Sequence, residues 1–433
     1  MTSAQTPPEN ELKDVLTALR NDNPTLGVPK LHALLLATRP DWAVSEKRAR
    51  KILQNEGLVL NSNTSTKQNS AKGDSFPKSK LIEALDVSRI TDKVDVHYFD
   101  TKKGKGLLAK QKLTDGEVVW KEDPFVLAPE WEIFDLQMSS LSCAHCSTPL
   151  SGSSLMTNCP GLSSSPSCPA KFCSRLCLSR SAKTHPLLCR SRNPASAPLI
   201  NFARKNEWMA LYALTQCTAR LLLDYQQDET LFKTELDVTR SFAQLGMEQR
   251  AKQGSLPGIE PDRAVWEKAH QLFVQALRDP VTEPERKKLS KILKKPIPKN
   301  LLDDIFEYES FLWGLGRMSL NLEAHGGLYI LHSHLNHSCS PNISVRHLDQ
   351  RTALSRITLI AKKDIQPGEE LFITYVNPNL SVAERRKQLL EWGFGECNCE
   401  RCTTEERDPS LNRASNGGLD DLERELKAGL GVV

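Results

Sequence analysis

No apolar run in the 433 residues approaches the ~20 that span a bilayer, so no membrane association is expected. The start, MTSAQTPPENELKD, is polar and acidic and lacks the apolar core of a secretory signal. Net charge is also scarce. Lys+Arg 57 against Asp+Glu 53 leave +4, too little to draw nucleic acid to the chain as a whole. These absences set aside membrane and secreted classes and favour a reducing compartment, with nucleus and cytoplasm as the expected locations. What is present is the composition of a folded protein. Hydrophobic residues make up 39% and charged residues 25%, and the length suits about two to four domains with real cores. The informative count is 12 cysteines. Where disulfides are rare, clustered cysteines usually mean metal.

The cysteines bunch. Seven lie between Cys143 and Cys189, three lie at Cys397, Cys399 and Cys402, and Cys339 and Cys217 stand alone. The first cluster reads Cys143-x2-Cys146, Cys159, Cys168, Cys173-x3-Cys177 and His185-x3-Cys189, which offers eight ligands, enough for two tetrahedral zinc ions. Close pairs suit the metal because one tight turn or one helical turn presents both donors to one ion. The intervening GLSSSPSCP cannot pack a core and needs a staple. Unligated loop thiols are the alternative. A catalytic thiol fits less well, since a closed four-ligand site leaves no open position. Cys217, on the apolar face of a helical stretch, reads as a core cysteine.

Three other stretches carry chemistry. LNHSCSPN, 335–342, lies between the apolar GGLYIL and strand-like ISVRHL. Asn336, His337, Ser338 and Asn342 crowd donors and acceptors into a tight turn stiffened by Pro341. Such a segment either cradles a polar ligand or satisfies its own backbone, and the residues alone leave both open. GEELFITY, 368–375, is a Pro-Gly turn followed by a strand-like run that delivers Tyr375. Helical VAERRKQLLEW and then GFGECNCERC follow it. Upstream, GKGLLA, 104–109, reads as a glycine loop between strand-like VDVHYF and LLAKQKL.

NHSCSPN, GEELFITY, a C-x-C-x2-C tail and the upstream GKGLLA together resemble the SET-domain protein lysine methyltransferases. The CxxxC–HxxxC order of the first cysteine cluster, with FCSRLC at 172–177, is similar to a MYND zinc finger. A MYND finger between GKGLLA and NHSC points to the SMYD type, with closest likeness to the fungal Set-five branch and the fifth animal SMYD member. The matched elements cover roughly residues 81–405. One departure is the spacing of Cys159 and Cys168, with eight residues between them where the family usually has two.

The resemblance implies S-adenosylmethionine as methyl donor. By that likeness Gly104 and Gly106 admit the cofactor closely, where a Cβ would collide. Lys105 either faces its carboxylate or is a solvated lysine in a KKGKG turn. Asn336 and His337 bind the cofactor, Asn321 matches a cofactor-contacting asparagine, and Phe394 matches the aromatic that packs on the adenine. Phe394 stands three residues before Cys397, where the family usually has two. Tyr375 matches the catalytic tyrosine. Carried over, the metal sets are Cys143, Cys146, Cys173 and Cys177; Cys159, Cys168, His185 and Cys189; and an all-thiolate tail site of Cys339, Cys397, Cys399 and Cys402. Three zinc ions per chain follow.

The rest of the chain completes the expected α+β organisation: a β-rich SET core split by a MYND-type zinc finger and a helical insert, with a Cys-rich post-SET zinc site. Residues 1–60 read as a small helical module similar to a helix-turn-helix or winged helix, with Leu12, Val15, Leu16 and Leu19 at a helical period. Its basic third helix, with Arg48, Arg50 and Lys51, suggests nucleic-acid or ribosome contact, a protein-docking bundle being the alternative. Residues 61–80 read as a polar linker without core-forming content. Further boundaries are 81–142 for the first SET segment, 143–189 for the finger, 190–320 for the insert, 321–376 for the last SET segment, 377–405 for the post-SET and 406–433 for a polar tail ending in a short amphipathic helix. The basic run ERKKLSKILKKPIPK, 285–299, suits nuclear import, an acidic partner, or simply a solvated face. His325, His332 and His334 receive no role. SMYD relatives mostly continue into a helical-repeat domain, which is not expected here, so substrate choice would lie with the insert, the finger or the first module. The expected function is lysine methylation of histone tails, histone H4 in the nearest branch, by a monomer. A ribosomal or translation protein as substrate, or a non-catalytic chromatin adaptor, are the alternatives.

Overall fold

The computed structural model describes residues 5–22, 28–55, 76–83, 85–163, 166–254, 262–349 and 354–408, so the expected tail helix lies outside the described residues. The chain forms two compact units, Met1–Asp74 and Ser75–Val433.

The first unit holds α1 (Glu9–Asp22), α2 (Val28–Thr38) and α3 (Glu46–Asn55). Leucines four apart, Leu12 with Leu16 and Leu31 with Leu35, bury one stripe of each of the first two helices against Ala49, Ile52 and Leu53 of the third. Ser45 caps α3, its hydroxyl accepting the Arg48 N–H at 3.3 Å. The three basic residues differ in placement. Arg48 Nη2 donates to Pro7 O at 2.9 Å, Lys51 is exposed, and the side chain of Arg50 lies outside the described residues.

The second unit begins with an antiparallel pair, β1 (Val94–Asp100) and β2 (Gly104–Ala109), in the register Val96↔Leu107. The glycines expected in a loop therefore sit on a strand, the turn being Thr101–Lys103. β3 (Val118–Glu122) and β4 (Val126–Leu127) follow, then α4 (Trp131–Met138). A cysteine-rich stretch carries β5 (Thr157–Asn158), β6 (Lys171–Phe172), α5 (Arg175–Ser181) and α6 (His185–Leu188). Next come α7 (Ser196–Lys205), α8 (Met209–Gln227), α9 (Glu229–Ser241), α10 (Met247–Gly254), α11 (Arg263–Leu277), α12 (Glu283–Ile292), α13 (Lys299–Phe306) and α14 (Tyr308–Asn321). The closing part holds β7 (Gly327–Leu328), β8 (Asn336–His337), β9 (Ile343–Arg346), β10 (Ile357–Ala361), β11 (Phe372–Ile373), α15 (Val382–Glu391) and α16 (Glu400–Arg407).

Two cores organise this unit. The helices pack around α8, which is buried on nearly every side because its alanines and leucines run all round it. Cys217 lies there with 1% exposure, and burial pushes its thiol up to about 12. The second core joins β1, β2 and the three-stranded sheet β3-β10-β9, whose central strand, ITLIA, is β-branched and buried on both faces. LFITY contributes only two strand residues, Phe372 and Ile373, which pair in parallel with Asn336 and His337. The stretch LLDDIFEYESFLWGLGRM is two helices, because Glu307 takes an extended conformation (ψ 146°) between α13 and α14. A capping box of Ser381 and Glu384 starts α15. Among the described residues no helix is long and apolar enough to cross a membrane.

Candidate active site and cysteine clusters

The parallel pair β8–β11 forces two distant segments together. Ser338 N–H donates to Ile373 O at 2.9 Å, and Phe372 N–H donates to Asn342 Oδ1 at 2.7 Å. Asn342 Nδ2 in turn reaches Glu370 O at 2.8 Å. Asn336 Nδ2 donates to Lys105 O at 3.0 Å and to Glu370 Oε1 at 2.9 Å, which draws in the edge of β2. The polar turn thus satisfies backbone and, at the same time, lines a cavity of about 1120 Å³ together with Lys105, Ser333, Tyr375 and Phe394.

Lys105 is no solvated turn residue. It is 3% exposed, and its ammonium donates to Ser241 O at 3.1 Å and Ser333 Oγ at 3.2 Å, both neutral. Burial without an acid partner pulls its pKa down to about 7. Tyr375 Oη donates to Leu335 O at 2.6 Å, and burial holds its phenol above the ordinary value. Its ring meets Phe394 with centroids 4.9 Å apart and His337 at 5.4 Å.

Three residues expected at the cofactor have close neighbours within the chain. A Cβ on Gly104 would come within 2.5 Å of Ser79 Oγ, and one on Gly106 within 2.5 Å of Phe99 and 2.9 Å of Asn336 Nδ2. These glycines make room first for neighbouring side chains of this chain. Asn321 does not line the cavity. Its amide receives the Ala243 N–H at 3.2 Å and donates to Ala243 O and Arg317 O, both at 2.7 Å, so it fastens the turn after α9 to α14.

Other contributors were not legible in the sequence. Phe76, Pro77 and Ser79, in the stretch read as linker, line the cavity; residues 61–75 lie outside the described residues. Glu122 is buried beneath the turn, accepting the Leu331 N–H at 2.8 Å and the His332 N–H at 3.0 Å. Desolvation raises its pKa. A lone glutamate ending an apolar strand, VVWKE, was its only trace in the sequence.

Cysteines gather beside the cavity and away from it. Among the described residues three sets of possible ligands form: Cys143, Cys146, Cys173 and Cys177; Cys159, Cys168, His185 and Cys189; and Cys339, Cys397, Cys399 and Cys402, each with its donor atoms within 4.8 Å of one another. The cysteines are free thiols. A tetrahedron with Zn–S bonds of about 2.3 Å has sulfur–sulfur edges of roughly 3.8 Å. Here Sγ atoms lie 3.7 Å apart in Cys146–Cys173, 3.8 Å in Cys159–Cys189 and 4.0 Å in Cys339–Cys397. The donor sets fit zinc. The long Cys159–Cys168 spacing is bridged by hydrogen bonds from Cys159 N to Ala170 O at 2.9 Å and from Cys168 N to Gly161 O at 3.1 Å.

A family model described as SET domain matches residues 104–376. The "Histone-lysine N-methyltransferase SET5" of Yarrowia lipolytica is 31% identical over 430 residues, covering 95% of this chain and 86% of that protein. Its namesake in Mycosarcoma maydis is 34% identical over 342 residues, covering 71% of this chain and 67% of that protein. A solved structure, Rubisco LSMT bound to AdoMet, aligns at TM-score 0.34 and 12% identity over 71% of this chain and 52% of that one.

The chain belongs to the SET-domain family and is a protein-lysine methyltransferase that uses S-adenosylmethionine.

Proposed function

We propose that the chain methylates lysines of histone tails, of H4 type, acting as a monomer in nucleus and cytoplasm. The observation that carries this reading is the convergence of Lys105, Asn336, His337, Tyr375 and Phe394 on one cavity, in a chain whose relatives are named histone-lysine N-methyltransferases.

In this reading Lys105 pairs with the donor carboxylate, Asn336 and His337 hold the donor through amide and backbone groups, and Phe394 packs on its base. The donor supplies a methyl group made electrophilic by a sulfonium. Tyr375 is the catalytic residue. With its hydrogen committed to Leu335 O, its oxygen keeps lone pairs for weak C–H hydrogen bonds and for orienting the attacking amine. The substrate ammonium must lose its proton to attack. The apolar walls offered by Tyr375 and Phe394 lower its pKa, so no dedicated base is required.

Cys339, Cys397, Cys399 and Cys402 would hold a zinc that pins the post-SET tail to the NHSC turn. The two sets within 143–189 are read as a MYND finger, for three zinc ions in all. The first unit is read as a module for nucleic acid or ribosome contact.

The test is methyl transfer from radiolabelled donor by the full-length protein. Label on histone H4, lost with Tyr375→Phe, is expected. Label confined to ribosomal proteins in a whole-cell extract moves the substrate, and no label anywhere, with donor binding intact, returns the chain to an adaptor role.

A further inference from the structure

Residues 76–80 belong to the stretch expected as a polar linker, yet they are stitched into the second unit on both sides. Lys78 and Gln244 exchange backbone hydrogen bonds of 3.0 and 2.8 Å, and Lys80 N–H reaches Ser241 O at 3.3 Å. On the other side Ser79 Oγ accepts the Lys105 N–H at 3.3 Å. The segment therefore bridges the start of β2 and the turn after α9, and its first ring, Phe76, is presented to the cavity.

That ring has a defined seat. A Cβ on Gly395 would lie 2.7 Å from Phe76 Cε1, and Gly395 holds φ +74°, so glycine is needed there both for the backbone and for the close approach. The Lys102 ammonium lies 5.2 Å from the ring centroid. Phe394, next to Gly395, lines the same cavity. The cavity is thus aromatic around Phe76 and Phe394. Around Lys105, Ser333 and Asn336 it is polar and carries both charges, the Lys105 ammonium and the Glu370 carboxylate that accepts from Asn336 Nδ2. S-adenosylmethionine has the same polarity, with a flat apolar purine at one end and a charged amino acid at the other.

We propose that Phe76 is part of the methyl-donor site, its ring forming an aromatic wall for the purine base, with residues 77–80 fixing it there. This rests on reading the cavity as the donor pocket. Purines pack on aromatic faces with little regard to hydrogen bonding, so the ring itself, more than any polar atom nearby, sets the contribution.

The test is calorimetric titration of the full-length protein with S-adenosylhomocysteine and with adenosine. Failure of the unaltered protein to bind S-adenosylhomocysteine overturns the donor-pocket reading itself. Given that binding, Phe76→Ala should weaken both ligands by roughly tenfold, a like factor for each because the base is the shared part. Phe76→Tyr should stay within about twofold. Phe76→Leu keeps the apolar bulk and guards against loss of fold, and it should still bind more weakly than Phe76→Tyr. Unchanged S-adenosylhomocysteine affinity in the alanine and leucine variants overturns the proposal, as does a rise in KM for the lysine substrate alone.

Discussion

His337 Nδ1 accepts the Tyr375 backbone N–H at 3.0 Å, while its Nε2 lies 3.3 Å from Cys339 Sγ. An accepting Nδ1 leaves Nε2 as the ring nitrogen that presents an N–H to the sulfur. One imidazole thereby joins the tail thiolate cluster to the backbone of the residue at the centre of the cavity. The order of β8 and β11 makes this possible, because parallel pairing of His337 with Ile373 sets Tyr375 just beyond the strand end.

Removing the phenol oxygen should separate chemistry from binding. Tyr375→Phe is expected to lower kcat by roughly 10²-fold. Leu335 O loses its donor, at a cost of about 1 kcal/mol in stability. Single-turnover methyl transfer, S-adenosylhomocysteine titration and a melting curve check this. A kcat equal to wild type removes Tyr375 from the chemistry.

Lys105 should make stability and donor affinity depend on pH. Its folded pKa is about 7, depressed by burial from 10.5. Between those values the unfolded chain binds the extra proton, so stability should rise with pH across that window. Lys105→Met should flatten the rise. A donor carboxylate favours the charged amine, so S-adenosylhomocysteine affinity should fall as pH climbs above about 7. Melting curves and titrations from pH 6 to pH 9 on both proteins read the two effects. Identical profiles for the pair contradict them.

Zinc content should be three per chain by elemental analysis, matching the three ligand sets. Cys402→Ser is expected to lose one equivalent and methyl transfer with it, while the two sets in 143–189 keep theirs. Full activity in protein verified free of zinc would contradict the role given to the tail site.

Arg385 is a stability prediction. It is 0% exposed, donating through Nη2 to Glu405 Oε2 at 2.7 Å and toward Cys402 Sγ at 3.5 Å. Arg385→Met leaves Glu405 near the thiolates with only Arg401 to neutralise it. The expected loss is about 3 kcal/mol, read as a fall in denaturation midpoint. Adding Glu405→Gln should recover part of it, since the two groups share one network. Additive losses would show that they do not.

The thiolate clusters and the SET motifs were legible in the chain because their information is local. Ligand pairs within one turn and a Pro-Gly turn before a strand each act over a few residues. The helical character of the 190–320 insert was legible as well, and the structure divides its LLDDIFEYESFLWGLGRM stretch into two helices at Glu307. What local pattern could not convey was depth. Lys105 and its neighbours in KKGKG look like a solvated turn, yet Lys105 is buried because β2 pairs with β1 and the 241–244 turn covers its ammonium. Asn321 looks like a ligand contact, yet its amide is spent on the backbone of Ala243.

By itself, then, the amino-acid order determined where the cysteine pairs and the NHSCSPN, GEELFITY and GKGLLA motifs lie, since these depend on residue type at short spacing; the family resemblance they carry implied the donor and the grouping of the ligand sets. Only the tertiary structure decided which segments share the cavity. Phe76, Lys105, Asn336, Tyr375 and Phe394 are up to 318 residues apart. They meet because the parallel β8–β11 pair and the buried Glu122 beneath the turn fold the chain back on itself, and such long-range pairing leaves no period in the sequence.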